Sequence, residues 1–239
     1  MGAQVFMDDA YASECAANVV EVNDRGGIVL DRTVFYATSG GQAGDQGVLI
    51  TRGGEEITIE VAVYDQDKCI VHVPAPDCIA PAIGTEVQAR LHWPHRHGHM
   101  RMHTCLHLLC SLIPHPVTGG SISGMSGRLD FDIPEAVLDK ELLTEQLNEL
   151  IQADHPVASD WITDDELEAN PGLVRTMSVK PPMGTGRVRI VKIGKDGEID
   201  LQPCGGTHVR STAEIGAVTV TKIEKKGRQN RRVRLSLAD

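Results

Sequence analysis

Two short segments carry side chains that bind metal ions. In Met100-Arg101-Met102-His103-Thr104-Cys105-Leu106-His107 two imidazoles stand four residues apart, a spacing that on a helix puts both on one face and aims them at a common point. Far downstream, Pro203-Cys204-Gly205-Gly206-Thr207-His208 sets a thiol and an imidazole four apart in a glycine-bearing turn, where the backbone can bend until both reach one centre. Read singly, the first pair is equally a pair of hydrogen-bonded helix histidines, and Cys204 a buried thiol beside a tight turn. Read together, three imidazoles and a thiolate form a ligand set for one Zn²⁺ per chain, an ion that accepts nitrogen and sulfur at tetrahedral angles. Iron or cobalt would accept the same donors during expression. Four protein ligands close a tetrahedron, so a catalytic role requires one of them to yield. His208, at the end of the flexible turn, is the expected one.

These segments need a helix and a sheet to hold them. Around Trp93 the pattern turns helical, with Met102, Leu106, Leu109 and Ile113 at spacings of three and four until Pro114 and Pro116 end the run. Upstream, short β-rich runs such as ANVVEVN, GVLITRGGEEITIEVAVYD and GTEVQARLHW are broken by Gly, Asp and Pro, which predicts a small antiparallel β-barrel or sandwich. Downstream, a helix is expected from Pro134 to Ala153, with Glu135 in its first turn and Val137, Leu138, Leu142, Leu150 and Ile151 on its apolar face. A shorter helix follows in TDDELEANPG, capped by Thr163 or Asp164. The strands VRIVKIG, EIDLQ, GAVTVTKIEKK and VRLSL complete the chain. The fold class is α+β, with a β-barrel-like domain over residues 1–92 and a zinc-binding domain of helices on an antiparallel sheet over 93–239.

Composition narrows the function classes. The 239 residues carry 23 Lys and Arg against 33 Asp and Glu, a net charge of −10. A non-specific nucleic-acid coat would be basic, and DNA is not an expected partner. No run reaches the roughly 18 to 20 apolar residues of a membrane span, and the N-terminal text lacks a secretory layout. No membrane partner is expected, and the expected compartment is the cytoplasm. Six cysteines without a C-x-x-C pair read as thiols rather than a disulfide framework. Against the acidic background, Lys222, Lys225, Lys226, Arg228, Arg231, Arg232 and Arg234 are set against one acid, Glu224. Such a run is either a local phosphate footprint or a solvated hairpin.

Four blocks, in order along nearly the whole chain, resemble the freestanding alanyl-tRNA editing proteins of the AlaX type, homologous to the editing domain of alanyl-tRNA synthetase. They are FYATSGGQAGDQG at 35–47, MRMHTCLHLL at 100–109, PCGGTHV at 203–209 and KGRQNRRVR at 226–234. The resemblance is to the medium-length type and implies zinc on His103, His107, Cys204 and His208, a β-barrel carrying the glycine-rich block, and an aminoacyl-tRNA hydrolase. One departure is His95-Arg96, where paired arginines are expected.

The implied substrate is mischarged Ser-tRNA(Ala), with Gly-tRNA(Ala) as a second, and the implied partner is the acceptor end of tRNA(Ala). The alternatives are Ser-tRNA(Thr) editing and a non-catalytic zinc-containing tRNA-binding module. Zinc peptidase chemistry is disfavoured, because H-E-x-x-H is absent. Gln42, Thr118 and Ser121 are the expected catalytic or substrate-recognising side chains. Gly40 and Gly41 are expected to admit the RNA backbone. Arg96 and Arg101 are expected at the mouth of the zinc pocket, with Lys225, Lys226, Arg228, Arg231 and Arg232 forming a basic stripe for phosphates.

Overall fold

The structure is a computed structural model describing residues 2–133, 138–176 and 186–238. It divides into two compact units, residues 1–98 and 99–239. The first holds β1 (Ala3–Gln4), β2 (Glu14–Val22), β3 (Ile28–Leu30), β4 (Arg32–Thr33), β5 (Gly47–Thr51), β6 (Glu56–Tyr64), β7 (Ile70–Pro74) and β8 (Glu86–Leu91). Six of these close an antiparallel barrel in the order β2, β3, β7, β6, β5, β8, so the alternative of a sandwich is set aside. Closure leaves those strands no unpaired edge. Alternation fills the interior, with Val87, Ala89 and Leu91 of β8 and Ile57 and Ile59 of β6 pointing inward. A register shift between Ile59 and Val61 moves the next inward position to Ala62.

The glycine-rich block runs through this unit largely outside the strands, buried at its start and at Asp45 and exposed around Gly40 and Gly41. Val34, Phe35, Tyr36 and Ala37 are all enclosed, so their backbone polar groups need partners. Asp45 supplies several. Its carboxylate accepts from Tyr36 N at 2.6 Å, and its backbone exchanges hydrogen bonds with Tyr36 and Ala62. Gly44 is required there, since a Cβ would lie 2.0 Å from the Ala62 carbonyl. The carboxylate is in turn gripped by Arg96, whose Nε donates to both oxygens at 3.0 Å and whose Nη2 donates to Oδ2. Arg96 also donates to the Ala10 carbonyl at 2.8 Å and the Val34 carbonyl at 2.6 Å. Nearby, His72 is buried with Nδ1 donating to the Ile28 carbonyl and Nε2 accepting from Thr33, and burial pushes it down to about 4.

Helix α1 (Trp93–Leu112) begins in the first unit and continues in the second. The second unit then holds β9 (Val117–Ser123), β10 (Ser126–Asp132), α2 (Lys140–Gln152), β11 (Val157–Thr163), α3 (Asp164–Ala169), β12 (Arg187–Ile193), β13 (Asp200–Pro203), β14 (Val218–Lys226) and β15 (Asn230–Leu237). Two antiparallel sheets form, β14-β15-β10-β9 and β11-β12-β13. The predicted apolar stripe of α1 is buried, with Met102, Leu106, Leu109 and Ile113 at 4% exposure or less. It packs on the sheet face that carries Gly127, where a Cβ would meet the Met102 sulfur at 2.6 Å. Helix α2 lies against β14, tied by Asn148 to both polar groups of Val218.

One helix start differs from expectation, and the buried face of α2 is Leu143, Leu147 and Ile151, with the expected Leu142 exposed. Helix α2 begins at Lys140, because Asp139 caps it by accepting from Leu142 N. The predicted start at Pro134, with Glu135 and Val137, lies outside the described residues. For α3 the cap is Thr163, in a reciprocal capping box with Glu166. The α+β class holds.

The Arg96–Asp45 pair is buried on both sides, so removing one partner strands the other's charge. Asp45→Ala is expected to destabilise the first unit by about 3–5 kcal/mol, measured as a lowered denaturant midpoint. An unchanged midpoint would show that the buried loop holds itself.

Candidate metal centre

Helix α1 presents His103 and His107 one turn apart, and the chain leaving β13 presents Cys204 and His208. Their ligand atoms all lie within 4.8 Å of one another. Cys204 Sγ is 3.5 Å from His103 Nε2 and 3.3 Å from His208 Nε2. A tetrahedral zinc with bonds of about 2.0 to 2.3 Å needs its donors roughly 3.4 to 3.6 Å apart, so the cluster fits such an ion. The four residues form a group that could hold a metal, in the chemistry the sequence indicates.

The supporting side chains fix which nitrogen faces the centre. His107 Nδ1 donates to Asp200 Oδ2 at 2.8 Å, leaving Nε2 for an ion. His208 Nδ1 lies 3.1 Å from the Thr104 hydroxyl, which itself donates to the Met100 carbonyl. That hydroxyl has spent its proton, so His208 is the donor and its Nε2 lone pair points at Cys204. The Cys204–His208 turn is clamped by buried Arg189, whose Nη1 donates to the carbonyls of Cys204 and Gly206, each at 2.9 Å. Gly206 N points at the sulfur from 3.4 Å.

Electrostatics favour the liganding forms of Cys204 and His208. Burial by itself would raise the Cys204 thiol, yet His103 and His208 beside it hold it well below the ordinary thiol range. Burial would lower His107, but the Asp200 carboxylate and the Cys204 sulfur push it up to about 10. His208 is pressed well below the usual imidazole range by burial and by His103.

The four candidate ligands differ in how they are held, His208 among them, the ligand expected to yield. His208 is buried and held by Thr104, and His107 is buried and held by Asp200. His103 and Cys204 are the partly exposed members.

Other predicted residues fall elsewhere. Ser121 pairs with Arg128 and Gly120 with Leu129 across β9 and β10. Residues paired this way share a sheet face, so Ser121 sits on the face opposite Gly127 and α1, the helix that carries two of the ligands. Thr118 donates to the Asp130 carbonyl at 3.1 Å and contacts Asn230 Oδ1 at 3.3 Å, which uses it as a bond between strands. Gln42 is fully buried in the first unit, and its amide is enclosed rather than presented to an acceptor end. Gly40 and Gly41 are exposed, with φ of 56° and 85°, in a turn between Ser39 and Gln42.

Arg96 is not at a pocket mouth. It is fully buried on Asp45, so its charge serves the first unit. Arg101 is half-buried, donating through Nε to the Ile215 carbonyl at 2.9 Å. The basic run forms the β14–β15 hairpin, turning at Gly227. Lys225, Lys226 and Arg228 are exposed there. Arg231 faces the buried side at 8% exposure, and Arg232 is committed to Asp130 through two hydrogen bonds of 2.7 and 2.8 Å. The stripe is therefore shorter than expected. Asp200, Gln202, Thr104 and Arg189 escaped the sequence reading. The alternation of β13 would turn Leu201 inward, whereas Asp200 and Gln202 are the buried positions.

Comparison with known proteins gives two family matches. Residues 5–95 match the model for tRNA synthetases class II (A), and residues 188–234 match that for the threonyl and alanyl tRNA synthetase second additional domain. The alanine–tRNA ligase of Pyrobaculum arsenaticum is 36% identical over 93% of this chain and 25% of the ligase. The chain thus spans about a quarter of the length of the ligases it matches. The alanyl-tRNA editing proteins AlaX-M of Methanosarcina acetivorans and Methanosarcina barkeri are 32% and 33% identical, each over 98% of both chains. No helix among the described residues is long and apolar enough to cross a membrane.

The thiol chemistry can be read directly. Cys105 and Cys110 are buried and pushed up to about 12 by that burial. At pH 6, chelator-treated protein is expected to alkylate at Cys204 well before Cys105 or Cys110, and added zinc should protect Cys204, as seen by peptide mass mapping. Equal labelling of the three would contradict the charge arrangement.

Proposed function

We propose that this chain, which belongs to the family of alanyl-tRNA editing proteins, is a hydrolase that removes serine from mischarged Ser-tRNA(Ala), with Gly-tRNA(Ala) as a second substrate. The observation that carries this reading is the His103, His107, Cys204 and His208 cluster, in a chain that aligns with AlaX-M proteins over nearly its whole length. The chemistry supplies a reason for such an activity. A pocket selecting alanine rejects an added hydroxyl only by a factor on the order of 10². A second, hydrolytic site raises fidelity.

The ion we assign is zinc, which when bound activates water or polarises the ester carbonyl. This chain's residues do the rest. Asp200 and Thr104 hold His107 and His208 in the liganding tautomer, and Arg189 fixes the turn that carries Cys204. The aminoacyl ester approaches from the side of His103 and Cys204, where the cluster is partly exposed. Exposed Lys225, Lys226 and Arg228 on the hairpin supply phosphate contacts, and the exposed Gly40–Gly41 turn leaves room for an RNA backbone. These parts let an acidic protein hold a polyanion locally.

The test is deacylation of Ser-tRNA(Ala), Gly-tRNA(Ala), Ala-tRNA(Ala) and Ser-tRNA(Thr), with and without a chelator. Free serine is expected from Ser-tRNA(Ala) while Ala-tRNA(Ala) survives, with activity lost to the chelator and restored by zinc. Binding without hydrolysis would make the protein a non-catalytic tRNA-binding module, and preferred release from Ser-tRNA(Thr) would reassign the tRNA. Lys225→Ala with Arg228→Ala should raise KM more than it lowers kcat, and reduce the salt dependence of binding by up to about two units of slope. An unchanged slope would place the RNA grip elsewhere.

A further inference from the structure

Asp200 is buried to 1% exposure yet uses its two oxygens unequally. Oδ2 accepts from His107 Nδ1 and from Gln202 Nε2, both at 2.8 Å, while Oδ1 is buried without a hydrogen-bond partner. The nearest cation to Oδ1 is Arg175, with Nε 3.9 Å away and its Nη1 bound to the Cys110 carbonyl. The other aspartates with arginine partners behave differently. Asp130 takes Arg232 on both oxygens, and so does Asp45 with Arg96. A carboxylate kept for an ion pair would be arranged like those two. Asp200 instead concentrates its donors on the oxygen that touches a ligand imidazole, at the cost of a stranded oxygen.

Charge gives the reason. A divalent ion with one thiolate and three neutral imidazoles carries one net positive charge, which is expensive to bury. A fixed carboxylate on the outer nitrogen of His107 balances it and makes that imidazole a stronger donor. We propose that Asp200 is a positioning residue of the metal centre, which holds His107 in register and neutralises the loaded site, so that it sets how tightly the ion is retained. The inference rests on the metal reading of the cluster and not on the identity of the substrate.

The experiment measures zinc affinity of the whole chain by competition with a chromophoric chelator, in the parent and in Asp200→Asn, Asp200→Glu and Asp130→Asn. Asp200→Asn keeps the shape and removes the charge, and should weaken zinc binding about 10- to 100-fold. Asp130→Asn, which breaks a surface-sheet ion pair, should leave it unchanged. Asp200→Glu keeps the charge on a longer arm and should retain more affinity than Asn. The cobalt-loaded Asn variant should also show altered visible ligand-field bands. A folded Asp200→Asn with parental zinc affinity and cobalt bands overturns the role. If Asn does not fold, the Glu variant is decisive, since parental affinity with the displaced oxygen overturns the role and reduced affinity supports it. A parent that binds no zinc overturns the metal reading itself.

Discussion

Four donor atoms from two chain segments about a hundred residues apart must meet around one ion, and each segment is held by its own contacts. Helix α1 is pinned by Met102 and Leu106 against the close-packed Gly127 face of a four-stranded sheet, which fixes the direction in which His103 and His107 project. The turn after β13 is a loop, and loops drift. Arg189 removes that freedom by holding two of its carbonyls, and Thr104 locks His208 from the helix side. The packing therefore serves to bring Cys204 Sγ within 3.3 to 3.5 Å of two imidazole nitrogens.

Buried charge is handled in two ways in the same molecule. In the first unit Asp45 and Arg96 saturate one another and organise a non-strand segment that meets β6 at Ala62. In the second unit Asp200 is left incompletely saturated beside a metal-ligating imidazole. The first arrangement rigidifies; the second keeps a field directed at a site. On the exposed sheet face, Asp130 and Glu224 take up Arg128, Arg232, Arg234 and Lys222, and such pairs add little stability in water. They do limit which cations remain available to a phosphate.

Much of this was legible in the residues. The H-x-x-x-H and C-x-x-x-H spacings, the apolar period of α1 and the alternation of the barrel strands are local patterns, and local patterns survive folding. What was not legible depended on parity or distance. Whether Ser121 faces α1 turns on strand register, where a shift of one residue reverses every side chain. Arg231 could have been read as buried, because it shares its parity on β15 with Val233, Leu235 and Leu237. Arg96 and Asp45 are 51 residues apart, and nothing in either segment announces the other. Glycine content alone suggests freedom around His208, whereas Arg189 and Thr104 hold that turn through contacts distant in sequence.

The central claim is that one zinc ion is held by three imidazoles and a single thiolate. X-ray absorption at the zinc edge on the purified, zinc-loaded protein reads that shell without reference to activity. The account predicts three nitrogen scatterers at about 2.0 to 2.1 Å and one sulfur at about 2.3 Å. A shell without sulfur, or one with two sulfurs, would contradict it.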